Sequence, residues 1–600
     1  MDDNNKNLLL ASGLSFLVII VWFFLFPPEQ LVETNEPTAQ VTAPVDGSSP
    51  PPSTEQPVPV ELNDTDTREE ALSSSERVSI ATSRLAGSIS LKGGRIDDIR
   101  LLDYDVELND PSEKVRLLSP AGGPQAYYAL HGWIPAGGLS YADVPTAQTD
   151  WSLETAGNLT PENPITLRWD NPSGTTFRKT ISIDDDFLFT INQSIENSSD
   201  APMRLSPYGI VARQGEPETI GMWLLHEGVV RSSDGTIQEI DYDDMPDQPF
   251  IAAENGSVEA IDVASSGWIG FTSKYWMTSL LPQNGQPFTS VSKYVPSNDT
   301  YQVEMRLPLL DIPAGQTVDV VTYVFAGAKE YEAIRAYERA GFDQFIDAID
   351  WGWLFFLTKP IFWVLHELNI LIGNMGWAII GLTLVIKAVL FPLAYKSYVS
   401  MARMKEIQPE MEKLKEKHGD DKQGMQMDMI ALYKEKKVNP AAGCLPILLQ
   451  IPIFFSLYKV IFVTLELRHA PFIGWLEDLS APDPTSWINL FGLLPYATPG
   501  PESIFYFLSI GVWPLAFGIS MWLQQKLNPA PPDPTQQMIF AWMPWVFMFM
   551  LGSFASGLLV YWVANNVITF VQQYTIMRSQ GVKPDILGNI RTSLTRKKES

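Results

Sequence analysis

Cysteine is nearly missing from this chain of 600 residues. Cys444 stands alone, which excludes an intrachain disulfide and any metal site built on several thiolates. Histidine is scarce as well. His131, His226, His366, His418 and His469 are the full set, and none falls inside an expected membrane span, which argues against an intramembrane hydrolase with a histidine base. There is no GxxxxGK followed by Ser or Thr, so no phosphate loop and no nucleotide-driven cycle is implied. Positive charge is outnumbered, with 42 Lys and Arg against 69 Asp and Glu for a net charge of −27. An acidic soluble portion repels polyanions and argues against DNA as a partner. No internal repeat of the kind found in many transporters is visible.

What the chain does contain divides into unlike parts, as a length beyond one core requires. Residues 27–350 hold most of the excess carboxylate, whereas the rest is apolar, rich in Trp and Met, and basic in its polar loops. Leu8–Phe26 is an apolar run followed at once by Pro27-Pro28-Glu29, with no small-residue cleavage site. It reads as an uncleaved anchor over residues 1–26, a cleaved signal being the alternative. Residues 27–77, rich in Pro, Ser, Thr and Glu, read as a disordered tether. Across 78–341, alternating runs such as TTFRKTISIDDDFLFTINQSI and TVDVVTYVFAGA recur between Gly, Pro, Asn and Asp clusters. That patterning predicts a large antiparallel β sandwich. The adjacent His226 and Glu227 hint at acid–base chemistry, but one pair without a second constellation does not make a catalytic site.

Residues 342–372 place Phe342, Phe345, Ile346, Ile349, Trp353 and Phe356 at helical spacing among acids, which predicts an amphipathic helix at a membrane surface. A full span over 353–372, interrupted by Lys359-Pro360, His366 and Glu367, is the rival. About 20 helical residues cross a bilayer core of about 30 Å, and transmembrane helices are expected at 373–398, 441–465, 503–526, 537–554 and 556–577. With the anchor, that gives one N-terminal helix plus a five-helix membrane bundle. The polar stretch 399–440 reads as a helical hairpin. Its Met401, Met404, Ile407, Met411 and Leu414 fall on one face. Mutual packing would use most of that stripe, yet methionine's adaptability makes Met401, Met404 and Met411 candidates for a partner-binding face. Ten Lys or Arg lie in 396–439, and six more (Arg578, Lys583, Arg591, Arg596, Lys597, Lys598) lie in the basic tail 578–600, against Arg468 alone in 466–502. The positive-inside rule then puts the hairpin and both termini in the cytoplasm and the β domain outside.

Lys387 lies mid-way along GWAIIGLTLVIKAVLFPLAYKSY, residues 376–398. A basic group at mid-bilayer costs about 2.5–3.5 kcal/mol on insertion scales, so it should face protein or water. No expected span offers an Asp or Glu near mid-depth. A wetted cavity is therefore the reading taken, with backbone carbonyls as the bland alternative. Thr383 shares the face of Lys387 four residues earlier. Gln450 sits mid-span between Pro446 and Pro452, which can bend the helix and free carbonyls. Tyr561, Asn565 and Thr569 recur every four residues as a polar stripe, for which interhelical hydrogen bonding is an equally simple account. Cys444 reads as a small packing residue.

With these residues in view a family resemblance enters. YKEKKVNPAAGCLPILLQIPIF (433–454) is very similar to the signature of the bacterial YidC/Oxa/Alb membrane insertases. Ala481-Pro-Asp-Pro484, SGLLVYWVANN (556–566) and Glu406-Ile-Gln-Pro409 add to it, and the likeness to the Gram-negative form covers nearly the whole chain. The resemblance implies a bacterial inner-membrane protein that inserts other membrane proteins and helps them fold, alone or with the Sec translocon. It implies no catalysis and no cofactor, and a periplasmic supersandwich like that of sugar mutarotases. It also implies a positively charged groove open to cytoplasm and lipid and closed to the periplasm. Lys387 stands where the family usually has arginine, Thr383, Gln450 and Tyr561 match groove-facing positions, Asn565 extends them, and Trp562 replaces a usual tyrosine. Nascent membrane proteins and lipid are the implied partners, with a ribosome or targeting receptor at the hairpin and at the tail residues Arg596, Lys597 and Lys598. A small-solute transporter or channel, suggested by Lys387 alone, is the rival function. A membrane protease and an envelope-assembly scaffold are weaker rivals.

Overall fold

The computed structural model describes residues 67–582, apart from 109, 223, 420, 437, 439–444, 497, 500–502, 504, 506–507 and 529–533. The expected anchor, most of the tether, Cys444 and the tail residues Arg596, Lys597 and Lys598 lie outside the described residues.

The chain opens with a short helix, α1 (Arg68–Ser73), inside the stretch expected to be tether. Thr67 and Glu70 cap it reciprocally: the Glu70 amide donates to the Thr67 hydroxyl and the Thr67 amide to the Glu70 carboxylate. This T-x-x-E box is legible in the sequence. Six residues do not hold a helix alone; Arg68 ties this one to Asp98 on the neighbouring strand, and Ala71 is buried.

The β domain is two packed sheets, all of whose described strand pairs are antiparallel. The larger has eleven strands and runs from Arg77–Ala81 through Arg95–Glu107, Tyr127–Ala136, Met203–Gln214 and Thr300–Arg306 to Phe250–Ile251. The nine-stranded sheet runs from Thr236–Asp241 through Trp276–Pro282, Thr317–Ala328 and Leu188–Asn197 to Ser152–Leu153. Period-two patterning works as expected in Thr175–Ile183, where every second residue is buried and Phe177 and Ile181 pair with Ile195 and Ile191. The central strand Tyr127–Ala136 is buried throughout. Its Tyr127, Ala129 and Trp133 enter the core between the sheets, whereas Tyr128, Leu130 and Ile134 pack with Tyr208, Ile210 and Ala212 on the other side. Gly93 and Gly94, both at positive φ, make the turn before Arg95–Glu107, where a Cβ on Gly93 would press on the Ala147 carbonyl.

Helices follow. After α2 (Tyr331–Arg339) and a 3-10 turn at Phe345–Ala348, α3 (Phe355–Ile372) covers the region expected to be interfacial. α4 (Met375–Glu406) is one 32-residue helix, capped at its start by Asn374. By length and composition α3 and α4 could each cross a membrane. α4 extends past the boundary expected at 398, so Met401 and Met404 belong to it and not to the hairpin. The break comes at Ile407, before the Gln408-Pro409 start of α5 (Gln408–His418): Pro409 has no N–H for the Lys405 carbonyl and its ring crowds that group, so it fits the first turn of a new helix and not the interior of α4. α5 and α6 (Lys422–Glu435) form the hairpin, joined by Lys436–Glu410 at 2.8 Å and His418–Asp428 at 2.8 Å. Met411 packs there, under the Tyr433 hydroxyl at 3.9 Å. The remaining helices are α7 (Leu445–Val463), α8 (Val512–Gln525), α9 (Pro534–Met550) and α10 (Ser556–Ser579). α8 has 14 residues, starting well inside the span expected at 503–526.

Candidate functional site

Three helices, α4, α7 and α10, share one internal pattern. At the end next to the 464–481 connection their buried residues are mostly apolar: Met375, Ala378, Ile379 and Leu382 on α4, Leu457, Val460, Ile461 and Val463 on α7, and Leu558, Leu559 and Val560 on α10, with Lys459, paired to Asp350, and Ser556 as the buried polar exceptions. Gly376 lies against the Phe472 ring, and the Ser556 and Gly557 amides donate to the Ala481 and Leu479 carbonyls, so this end is sealed. About eight residues further along each helix, roughly 12 Å at 1.5 Å per residue, the buried side chains turn polar. On α4 they are Thr383, Lys387 and Ser397; on α7, Ser456; on α10, Asn565, Asn566, Thr569 and Gln573, with half-buried Gln450 joining them.

Lys387 is 9% exposed and on the inner side of α4, while Leu384, Val385 and Val389 point outward. Among the described residues no acidic side chain is in ion-pair contact with it. This is the orientation that the cost of a lipid-facing lysine demands, without the carboxylate that would neutralise it. Thr383 is buried beside it, but its hydroxyl donates to the Ile379 carbonyl at 2.8 Å, within its own helix.

Gln450, Tyr561 and Asn565 come together across α7 and α10. The Gln450 side-chain amide donates to Asn565 Oδ1 at 3.0 Å, and the buried Tyr561 hydroxyl lies beside the same amide. The structure gives no direct bond between this trio and Lys387 or Thr383. Trp562 stacks between Phe454 (5.2 Å) and Phe517 (5.0 Å), making it a core aromatic that joins α7 to α8.

Sequence reasoning missed three features. Asn566 donates to Ser520 at 3.1 Å and Gln573 to Asn528 at 2.9 Å; Gln573 was within reach, since it continues the four-residue spacing of Tyr561, Asn565 and Thr569. Lys459, a second lysine inside an expected span, is buried in an ion pair with Asp350 and donates to the Leu224 carbonyl, which ties α7 to the β domain. Two cavities also lie away from Lys387, one of about 430 Å³ between the sandwich and the 464–481 connection and one of about 380 Å³ between the sandwich and α7. His226 borders the second with both ring nitrogens engaged, by Asp241 at 2.9 Å and the Val229 carbonyl at 2.8 Å, so it is a structural histidine.

Fold and site define a helical membrane bundle with a large antiparallel β domain attached and a polar interior at one end. The family models that match are the YidC periplasmic domain, over residues 77–364, and the 60Kd inner membrane protein, over 367–583. A membrane protein insertase YidC of Dinoroseobacter shibae is 62% identical over the whole of both chains, and one of a Jannaschia species is 60% identical over all of this chain and 99% of its own. A solved YidC insertase structure aligns over 84% of this chain and 93% of its own at 17% identity, with a TM-score of 0.35. The chain belongs to the YidC family of membrane protein insertases. Its activity is the insertion of proteins into the inner membrane, which is not enzymatic, and nothing supports the transporter reading.

Proposed function

We propose that the polar end of the α4–α7–α10 interior is a water-filled groove that receives the hydrophilic tail of a nascent membrane protein. The observation carrying this reading is the position of Lys387: turned inward and buried, on the same helix as the buried Thr383, with no acidic partner among the described residues. A groove reaching part-way into the bilayer shortens the dehydrated path that a tail must cross. A fixed positive charge in low dielectric attracts carboxylates on that tail more strongly than it would in water. The hydrophobic segment then moves into lipid, and its burial, at about 25 cal/mol per Å², supplies the driving force.

On this reading the hairpin and both termini are cytoplasmic and the sandwich periplasmic, as the charge asymmetry of the loops requires. Action beside the Sec translocon, and docking of a ribosome or targeting receptor at the hairpin and basic tail, belong to the same proposal. Met411 spends itself on hairpin packing, which leaves Met401 and Met404, half-buried on α4, as the stripe's candidates for partner contact. The test is reconstitution in liposomes with a small single-span substrate and protease protection of its tail. Lys387→Glu should impair insertion of acidic-tailed substrates while Lys387→Arg is tolerated. Wild-type rates from Lys387→Ala at normal abundance would refute the role of the groove charge.

A further inference from the structure

The connection between α7 and α8 contains a compact knob, Trp487–Tyr496, with an unusual distribution of polar and apolar groups. Its large apolar side chains face out: Trp487, Leu490, Leu493 and Tyr496 are 52, 51, 83 and 49% exposed, with Phe491 and Leu494 close behind. Its backbone polar groups are turned in. The Phe491 amide donates to the Ser486 carbonyl at 2.7 Å, that of Leu494 to the Asn489 carbonyl at 3.0 Å, and that of Gly492 to the Asn489 side chain at 3.0 Å. The Trp487 ring donates to the Leu508 carbonyl at 2.7 Å and the Tyr496 hydroxyl to that of Ile488. Leu490 and Phe491 sit at φ 52° and 59°, a left-handed conformation that bulky residues rarely adopt, followed by Gly492 at 93°. Strained backbone is thus used to point apolar groups outward, the reverse of what a water-facing loop needs.

The knob is also fixed in place. The Asp483 carboxylate accepts the Trp513 amide at 2.8 Å, the Thr485 amide at 3.0 Å and the Trp475 ring at 3.2 Å, while the Thr485 hydroxyl accepts the Val512 amide at 3.0 Å. Asp483 and Thr485 thereby cap α8 from far upstream, which gives the Ala-Pro-Asp-Pro motif a structural task. From 484 to 525 the sequence has one charged residue, Glu502, so neither the knob nor α8, which adjoins it through Asp483 and Thr485, carries a charge.

We infer that Trp487–Tyr496 is seated in the bilayer itself, at the boundary of headgroups and acyl chains in the leaflet facing the β domain. Non-helical backbone survives in apolar surroundings where its polar groups are satisfied internally, as the amides from Leu490 to Leu494 are here. Tryptophan and tyrosine favour that depth. The occupant of this surface is phospholipid, because the knob carries no charge that would select a protein partner and because it is continuous with a membrane helix. The side of the membrane rests on the reading given above; the lipid contact does not.

The test is depth-dependent quenching. In a Cys444→Ser background, Leu493→Cys and, separately, Leu490→Cys are labelled with an environment-sensitive fluorophore and reconstituted in phosphatidylethanolamine–phosphatidylglycerol vesicles. Nitroxides high on the acyl chain should quench both labels roughly twofold more than aqueous iodide does. If iodide quenches both labels freely and lipid nitroxides quench neither, the inference is overturned. No insertion assay enters the measurement, so it stands or falls apart from the insertase reading.

Discussion

Lys459 and Asp350 join the bundle to the sandwich through a pair that is nearly dry, their side chains 6% and 9% exposed. Breaking a buried pair by removing one partner typically costs 3–5 kcal/mol, because the other charge is left uncompensated. In Lys459→Met the Asp350 carboxylate would keep two donors, the His226 amide at 2.9 Å and the Gly352 amide at 3.0 Å. That places the expected loss at the low end, about 3 kcal/mol. At 1.4 kcal/mol per tenfold, local opening of the joint should become about a hundredfold more frequent. Hydrogen exchange reads this directly, at the His226 amide and along Gly228–Ser233, in the full chain reconstituted in lipid. Lys459→Met with Asp350→Asn removes both charges and should exchange clearly more slowly than the single variant, since replacing a whole buried pair is often neutral, without fully reaching wild type because the new NH2 meets one of the two backbone donors. Less than about tenfold acceleration in the single variant, or a double variant as fast as the single, would refute the reasoning.

Lys179, buried in the sandwich beneath the Gly93, Gly94 and His131 carbonyls, has its pKa pushed down by burial to about 7. The unfolded chain protonates it from about pH 10.4 downward, so the wild type should lose stability as pH falls from about 10 to about 7 and lose no more from this group below that. Lys179→Met should flatten that slope, worth on the order of 4 kcal/mol at most, in thermal unfolding followed across that range; an unchanged slope would count against it. Asn565→Leu strands the Gln450 amide and should destabilise the bundle by about 1 kcal/mol, measured by denaturant titration in micelles. Gln450→Leu added to it should recover much of the loss, and if it does not, the bond is unimportant. Deleting residues 583–600 should weaken co-sedimentation with ribosomes at low salt; unchanged co-sedimentation would remove the tail from that role.

The sheets were legible because strand patterning is local: alternation in Thr175–Ile183 states which side chains face inward, and Gly93-Gly94 marks the turn. The helix ends were less so, since hydropathy reports where apolar residues stop and not where the backbone hydrogen bonds do. α4 passes residue 398 unbroken for that reason, ending where Pro409 is felt, and α8 begins at Val512 because Asp483 and Thr485 cap it from another part of the chain. Lys387, Gln450, Tyr561 and Asn565 were identifiable as polar groups in apolar runs, but the Gln450–Asn565 bond joins two helices and no single-helix pattern contains it. Lys459 escaped notice because its partner, Asp350, belongs to the segment between the domains.

The change from apolar to polar interior occurs on three separate helices, and that argues for a directional device. Burying one unpaired polar group is costly, and Lys387, Thr569 and Gln573 on facing helices would add such costs unless water reached them or each found a partner. Gln573 has one in Asn528 and Thr569 lies beside the Tyr398 hydroxyl, whereas Lys387 has no acidic partner among the described residues. The residual demand for hydration therefore falls on the lysine, about one helical turn beyond Leu382, where the sealed face ends. On the proposed reading, a tail drawn to that nitrogen would already stand at the edge of the dry layer. What remains for it to cross is the packed apolar end of α4, α7 and α10, a thickness of roughly 12 Å at 1.5 Å per residue, in place of a bilayer core of about 30 Å.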